Sequence, residues 1–240
     1  SHGMQELLAG RYRMEYDGAQ FRLSTDSMVL ADFAVFSSRM SIADLGCGCG
    51  ALSLLLCAKY PQAQLTGVEL QAQAAAAAQE NAARNGLTAR FHVICGDLRE
   101  HRTCLPHGAF DGVIANPPYY PTASGKLAQT DSLAAARSER TCTLDELCRC
   151  AAWLLKYGGR FCLVHKPERL ADIICALRQN ALEPKRIRFV RHRPGAPVSL
   201  VLLESRLGAK PSLAYESDLI LYDGDGKPSA DFIRIYHQEA

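Results

Sequence analysis

From about residue 41 onward, short apolar runs alternate with segments whose apolar positions recur at helical spacing. Ser41–Leu45 predicts a buried strand, followed by a glycine turn and a helix over Ala51–Tyr60. Gln64–Leu70 predicts a second strand and residues 71–85 an Ala-rich helix, which Asn85-Gly86 stops as a C-cap. Arg90–Cys95 and Phe110–Ala115 read as strands three and four, the latter halted by Asn116-Pro117-Pro118. Leu144–Lys156 reads as a helix ended by Gly158-Gly159, Arg160–His165 as a fifth strand, and Pro167–Asn180 as a helix with proline at its start. Such alternation predicts a parallel sheet covered by helices on both faces.

The pattern then changes. Pro184–Arg193 and Val198–Arg206 are strand-like runs joined only by Pro194-Gly195-Ala196-Pro197, a link that permits a hairpin and forbids a parallel crossover. The expected fold class is therefore α/β: a Rossmann-like, mostly parallel seven-stranded sheet finishing in an antiparallel hairpin. Upstream, Arg11–Tyr16 and Gln20–Leu23 flank Asp17-Gly18, a hairpin signal, and Thr25 or Asp26 is expected to cap a helix running to about Phe36. Ser1-His2-Gly3 before Met4 reads as the scar of a cleaved tag. With no repeat or linker, residues 1–240 read as one domain: residues 4–40 an N-terminal hairpin and helix, 41–206 the catalytic core, 207–240 a C-terminal elaboration.

Composition narrows the class. At 48% hydrophobic and 22% charged, the chain has ample material for a core, which excludes global disorder. No apolar run approaches the roughly 18 residues of a membrane span, and no basic-then-apolar leader opens the chain. The ten cysteines are scattered, with Cys57, Cys95, Cys162 and Cys175 inside apolar runs, which predicts small buried hydrophobes in a reducing cytoplasm. Neither Cys47/Cys49 nor Cys142, Cys148 and Cys150 has paired zinc spacing, so no metal is expected.

Chemistry first surfaces at Asp44-Leu45-Gly46-Cys47-Gly48-Cys49-Gly50, between the first strand and its helix. Glycines there let a ligand approach the backbone, and Glu69, at the end of strand two, is placed to hold a ribose diol. Gly46, Gly48 and Ala51 also satisfy a relaxed dinucleotide fingerprint, so the loop alone says nucleoside cofactor. Asp44 tilts the choice, because a carboxylate would repel a pyrophosphate but suits the sulfonium and zwitterionic end of S-adenosylmethionine (SAM). The motif D-x-G-x-G-x-G and the terminal hairpin resemble class I SAM-dependent methyltransferases. In that family Asp97 falls where an acid accepts from the adenine amino group; a helix N-cap is its alternative role.

Asn116-Pro117-Pro118-Tyr119 resembles the N-P-P-Y/F signature of methyltransferases acting on planar amides and exocyclic amines. The lone pair of such a nitrogen is delocalised. Two acceptors, the Asn116 side-chain oxygen and the Pro117 carbonyl, can take its N–H bonds and favour a tetrahedral nitrogen. The prolines fix the carbonyl, and Tyr119 offers a face for stacking. Residues 178–210 carry eight Lys or Arg against two Glu, in a chain of net charge only +2, which suggests a phosphate-facing patch or, alternatively, protection of an edge strand. If the strand is regular, Lys185, Arg191 and Arg193 share one face as RNA contacts, and Arg186 and Arg188 share the other. Residues 121–140, rich in Ala, Ser and Thr, form a long stretch suited to a substrate element or lid.

The order of Phe21–Ser27, Asp44–Gly48, Gly67-Val68-Glu69-Leu70, Asn116–Tyr120, Gly159-Arg160-Phe161 and Pro184–Val190 is similar to the tRNA(Val) (adenine-37-N6)-methyltransferase family, over about residues 11–206. The resemblance implies a SAM site of Thr25, Asp44, Gly46, Cys47, Gly48, Glu69, Leu70, Asp97 and Asn116. It implies Asn116, Pro117 and Tyr119 as catalytic residues, a tRNA substrate and a cytoplasmic enzyme. Cys49 departs from the usual Thr or Ser, and the tail after Leu207 matches less well. A protein glutamine-N5 methyltransferase and a non-catalytic nucleotide- or RNA-binding protein stand as the alternatives.

Overall fold

The computed structural model describes residues 2–7, 12–17, 24–118 and 142–237. Strands β1 (His2–Leu7) and β2 (Tyr12–Asp17) pair antiparallel, with His2 opposite Asp17. Strand β2 thus pairs with the preceding segment, including His2 and Gly3; the expected pairing with Gln20–Leu23 lies outside the described residues. Ladder pairing asks only for backbone donors and acceptors, which residues of a tag scar also carry.

The core runs α1 (Thr25–Phe33), β3 (Ser41–Leu45), α2 (Ala51–Lys59), β4 (Gln64–Glu69), α3 (Ala72–Arg84), β5 (Phe91–Cys95), α4 (His101–Cys104), β6 (Phe110–Ala115), α5 (Leu144–Leu154), β7 (Leu155–His165), α6 (Leu170–Gln179), β8 (Leu182–Arg191) and β9 (Val198–Leu207). Two short strands, β10 (Ala214–Tyr215) and β11 (Leu219–Ile220), and a helix, α7 (Ala230–His237), complete it. The sheet order is β10-β8-β9-β7-β6-β3-β4-β5, with β11 also beside β8. Strands β7, β6, β3, β4 and β5 are mutually parallel, and β9 is antiparallel to both β7 and β8. The seven long strands and terminal hairpin are those expected; the two tail strands had no sequence signal beyond two residues each.

Burial explains the layers. In β3, Ile42 faces the apolar layer built with α1, α2 and α3, while Ala43 and Leu45 face the layer built with α5 and α6. Strands buried on both faces read as near-continuous apolar runs, which is how the sequence located them; Asp44 is the buried polar exception in β3. Cys57, Cys148, Cys150 and Cys162 are buried as small hydrophobes, but Cys95 and Cys175 are exposed. Cys95 ends the edge strand β5, and Cys175 lies on the outer side of α6.

Three boundaries differ from expectation. Ser24, not Thr25 or Asp26, caps α1, accepting from the Ser27 N–H at 3.1 Å. Helix α1 stops at Phe33, where the Lys59 ammonium donates to the Ala31, Asp32 and Ala34 carbonyls. Helix α5, opened by the Thr143–Glu146 capping box, ends at Leu154, because Leu155 is extended and pairs with Phe110. Gly158-Gly159 serves an irregularity of β7: a Cβ at Gly159 would lie 2.9 Å from the Lys156 carbonyl oxygen and 3.0 Å from that of Asp111.

The tail is tied down through Arg186. Its guanidinium donates to Glu216 at 2.7 Å and to the Phe33 carbonyl at 2.6 Å, approaches buried Glu204 at 3.3 Å, and lies 3.8 Å from the Phe33 ring centroid. Removing one partner of a buried pair strands the other's charge. Arg186→Ala is therefore expected to destabilise the fold by about 3 kcal/mol in urea titration. Glu216→Gln, at a more exposed carboxylate, should cost under about 1 kcal/mol. Equal small effects would show that Glu204 is not held by this arginine.

Candidate active site

Strand register brings the predicted residues to one edge. Leu45 is level with Val68 and with Ala115, Glu69 with Cys95, and Ala115 with Leu163. The glycine loop, Glu69, Asp97 and Asn116 therefore all lie at or just past the C-terminal ends of parallel strands. Strand β3 is the switch point, since β4 and β5 extend the sheet to one side and β6 and β7 to the other. A crevice for ligands opens at such a point.

The glycine loop is shaped by backbone requirements. Gly46 has φ 72° and nothing within 4 Å of where a Cβ would stand, so its exposed side is open to a ligand. Gly50 has φ 95°, and a Cβ there would sit 2.8 Å from the buried Phe91 ring. The Gly46 and Cys47 N–H groups donate to the Val68 carbonyl at 2.8 and 3.1 Å, anchoring the loop to β4. Cys47 is buried beneath this turn, and Gly48 is half-buried.

Glu69 is gripped by backbone. One oxygen accepts from the Gly48 N–H at 2.9 Å and the other from the Gln71 N–H at 2.8 Å. Each oxygen keeps a lone pair for a further donor. Leu70, half-buried, follows directly. Asp44 is 1% exposed and accepts from the Ser53 hydroxyl at 2.7 Å. Burial pushes its carboxyl up to about 7, opposed by the Ser53 hydroxyl and reinforced by the charge of Glu69. Asp97 takes up its cap role on the turn Leu98–Glu100. It accepts from the Arg99 N–H at 2.9 Å, and the Arg99 guanidinium holds both oxygens, which keeps the carboxyl below its ordinary range.

Asn116, just past β6, is half-buried and donates through Nδ2 to the Ser27 hydroxyl of α1 at 3.0 Å. Pro117 is buried beside it, while Tyr119 lies outside the described residues, as does the stretch 121–140. Thr25 is half-buried in the first turn of α1. Sequence reasoning missed the supports: Ser53 on Asp44, Ser27 on Asn116, and buried Asn81, whose amide donates to the Cys49 carbonyl at 3.0 Å. Their only signal was a lone polar residue inside an otherwise apolar helix face. His165, which ends β7 at the same edge, was also missed. Burial lowers its ring's pKa, and its Nδ1 accepts from the Lys166 N–H at 2.8 Å.

The basic hairpin departs from regular alternation. The β8–β9 register shifts between Pro184 and Arg186 and again between Val190 and Arg191, so Lys185, Arg191 and Arg193 do not form one face. Lys185 sits near the start of β8, far from the site edge, and donates to the Lys210 carbonyl. Arg188 donates to the Ser217 carbonyl, and Arg191 pairs with Asp218 at 2.7 Å. These groups hold the returning tail, whose strands β10 and β11 partly cover β8, so edge protection is not their main role either. Arg193 is exposed in the turn after β8, at the same end of the sheet as Asn116.

Residues 22–178 match the family model of the methyltransferase small domain, and the site is that of a class I SAM-dependent methyltransferase. A tRNA1(Val) (adenine(37)-N6)-methyltransferase of Vibrio vulnificus is 31% identical, covering 89% of this chain and 86% of the relative. One from Porphyromonas gingivalis is 28% identical over 94% of this chain and 91% of its own length. The chain belongs to this family, within the methyltransferase small-domain family. Among solved structures, a predicted O-methyltransferase of Agrobacterium tumefaciens superposes with TM-score 0.75 at 23% identity, covering 90% of this chain and 97% of that one, a likeness of fold.

The residues present fit SAM. Glu69 retains acceptor capacity for ribose hydroxyls, Gly46 opens on the crevice, and the Asp44–Glu69 pair favours a cation. Because the Asp44 carboxyl is raised in the folded protein, that group favours folding at low pH, and its contribution fades as pH rises from about 4 towards 7. A cationic ligand favours the ionised form, so SAM affinity should rise between pH 6 and 8, with proton release detectable by calorimetry in two buffers. Asp44→Asn should bind more weakly and with a flat profile. A wild-type affinity independent of pH would remove Asp44 from the electrostatics of the site.

Proposed function

We propose that this chain methylates N6 of an adenine in tRNA, with adenine 37 of tRNA1(Val) as its target. The observation that carries this reading is Asn116 at the strand end, its Nδ2 committed to Ser27 and its Oδ1 left as an acceptor. SAM supplies an electrophilic methyl group. Asn116 Oδ1 and the Pro117 carbonyl accept the two N–H bonds of the target amine, favouring a tetrahedral nitrogen whose lone pair is withdrawn from conjugation with the ring. Those bonds strengthen as positive charge develops on nitrogen, so they act in the transition state. The nitrogen gains a methyl and then loses a proton to water, with no strong base required. Tyr119 stacks on the adenine, as the resemblance implies. Thr25, Cys47, Gly48 and Leu70 line the cofactor, and Asp97 shares its carboxylate between Arg99 and the adenine amino group of SAM. Arg193, with Arg191 behind it, contacts RNA phosphate, whereas Lys185 is withdrawn from that role.

Labelled SAM incubated with unmodified tRNA1(Val), with the same RNA bearing guanosine at position 37, and with a release factor tests the reading. Label in N6-methyladenosine from the first RNA alone is expected; label in glutamine would select the protein-methylating alternative. Asn116→Ala should lower kcat by at least about 100-fold while SAM affinity stays within about twofold. Near-normal turnover would end its catalytic assignment.

Phosphate contacts give affinity without sequence information. Arg193→Glu should therefore raise the RNA KM and flatten its log–log salt dependence by about 0.9 for each phosphate no longer neutralised, leaving SAM binding unchanged. An unchanged salt slope would place the RNA elsewhere.

A further inference from the structure

A carboxamide is nearly symmetric in shape but opposite in chemistry at its two ends. Turned one way, Asn116 offers an acceptor to an incoming amine; turned the other way, it offers two N–H donors to a group that is itself a donor. Strand β6 and the prolines fix the backbone but leave this choice open. The structure supplies one group that decides it. Asn116 Nδ2 donates to the Ser27 hydroxyl at 3.0 Å, and Ser27 is itself 8% exposed. The Ser24 hydroxyl donates to the same Ser27 oxygen at 3.3 Å, while Ser24 accepts from the Ser27 N–H at 3.1 Å.

We propose that Ser27 is the positioning residue that holds the Asn116 amide with its oxygen towards the target nitrogen. The inference rests on the catalytic role of Asn116 proposed above. With a proton from Ser24 already directed at it, the Ser27 oxygen presents acceptor character to Asn116 and draws the NH2 end. Ser27 reaches this point because it lies in the first turn of α1, whose N-cap fixes the start of the helix. The far end of that helix is held by Lys59 and Arg186, so both ends are pinned while its first turn faces the site. Ser27 touches neither the amine nor the methyl group in this account; it acts only through Asn116.

The test compares Ser27→Ala, Ser27→Thr and wild type on unmodified tRNA, with SAM affinity measured separately. In Ser27→Ala, kcat should fall about tenfold or more, because a misplaced contact group weakens transition-state positioning. The KM values for SAM and RNA should stay within twofold, and Ser27→Thr, which keeps the hydroxyl, should restore most of kcat. A kcat within fivefold of wild type for Ser27→Ala, or equal losses in the Ala and Thr variants, overturns the proposal. Should Ser27→Ala fail to fold, Ser27→Cys keeps the volume with a weaker acceptor and is held to the same thresholds. A readout independent of the substrate is the Asn116 side-chain amide signal in 15N NMR of the ligand-free protein. One of its protons should be protected from exchange in wild type and in Ser27→Thr and lose that protection in Ser27→Ala; no difference overturns the proposal. If wild type fails to methylate any tRNA, the reading of function fails, and the NMR comparison still decides the role of Ser27.

Discussion

One guanidinium joins four parts of the chain at a single point: two neighbouring strands, the tail and the end of the first core helix. Arg186 lies in β8, pairs with Glu204 of β9 and Glu216 of the tail, and donates to the last carbonyl of α1. A planar cation with five donors can satisfy several acceptors from different elements at once, which a lysine cannot do with the same directionality. Glu204 is buried, and removing this partner would leave its carboxylate without a countercharge. The packing of α1 against the sheet is thereby made directional, and α1 is the helix whose first turn meets Asn116. Structure distant from the chemistry thus reaches it through a single short helix. The ion pair of Arg234 in α7 with Asp32, near the end of α1, adds a second tie from the tail. Through Glu216 and Arg234, the described part of the tail is thus tied to the far end of the helix that meets Asn116.

Much of the fold was legible because a doubly covered parallel sheet leaves a strong mark. Strands such as Ile42–Leu45 and Phe161–His165 are buried throughout, so they stand out as apolar runs. The four-residue link 194–197 could only make a hairpin. What failed was local. Glycines mark a backbone requirement without saying which element needs it, so Gly158-Gly159 read as a helix stop when it serves an irregular strand. A two-residue strand such as Ala214–Tyr215 has no periodicity, and only the partner β8 makes it one.

The site divides in the same way. Residues that face a ligand were legible, because their types are dictated by chemistry that repeats: an acid for a diol, glycines for close approach, an amide and rigid prolines for a planar amine. The groups that hold those residues were not. Ser27, Ser53 and Asn81 are ordinary residues in ordinary helices until three-dimensional packing directs them at Asn116, Asp44 and the glycine loop. The basic residues of the hairpin show the converse error. Their number suggested a nucleic-acid surface, yet Lys185, Arg186, Arg188 and Arg191 all hold the returning tail. Charge counting sees the sign of a side chain but not whether an acceptor elsewhere in the chain already claims it.

The two halves of the site are built on opposite electrostatic terms, and this follows from what each must hold. On the cofactor side, burial raises the proton affinity of Asp44, the Ser53 hydroxyl opposes that rise, and the charge of Glu69 adds to it. A ligand with net positive charge favours the ionised carboxylate, so its entry is coupled to loss of a proton from Asp44. On the acceptor side, at Asn116 and Pro117, the groups are neutral. A carboxylate there would accept the same hydrogen bonds through either oxygen and would need no particular orientation. An amide accepts them through one end only, so it serves only when that end faces the amine. Neutral acceptors thus exchange the strength of a charge for a dependence on orientation, and that dependence is why a buried serine beside Asn116 matters to the chemistry.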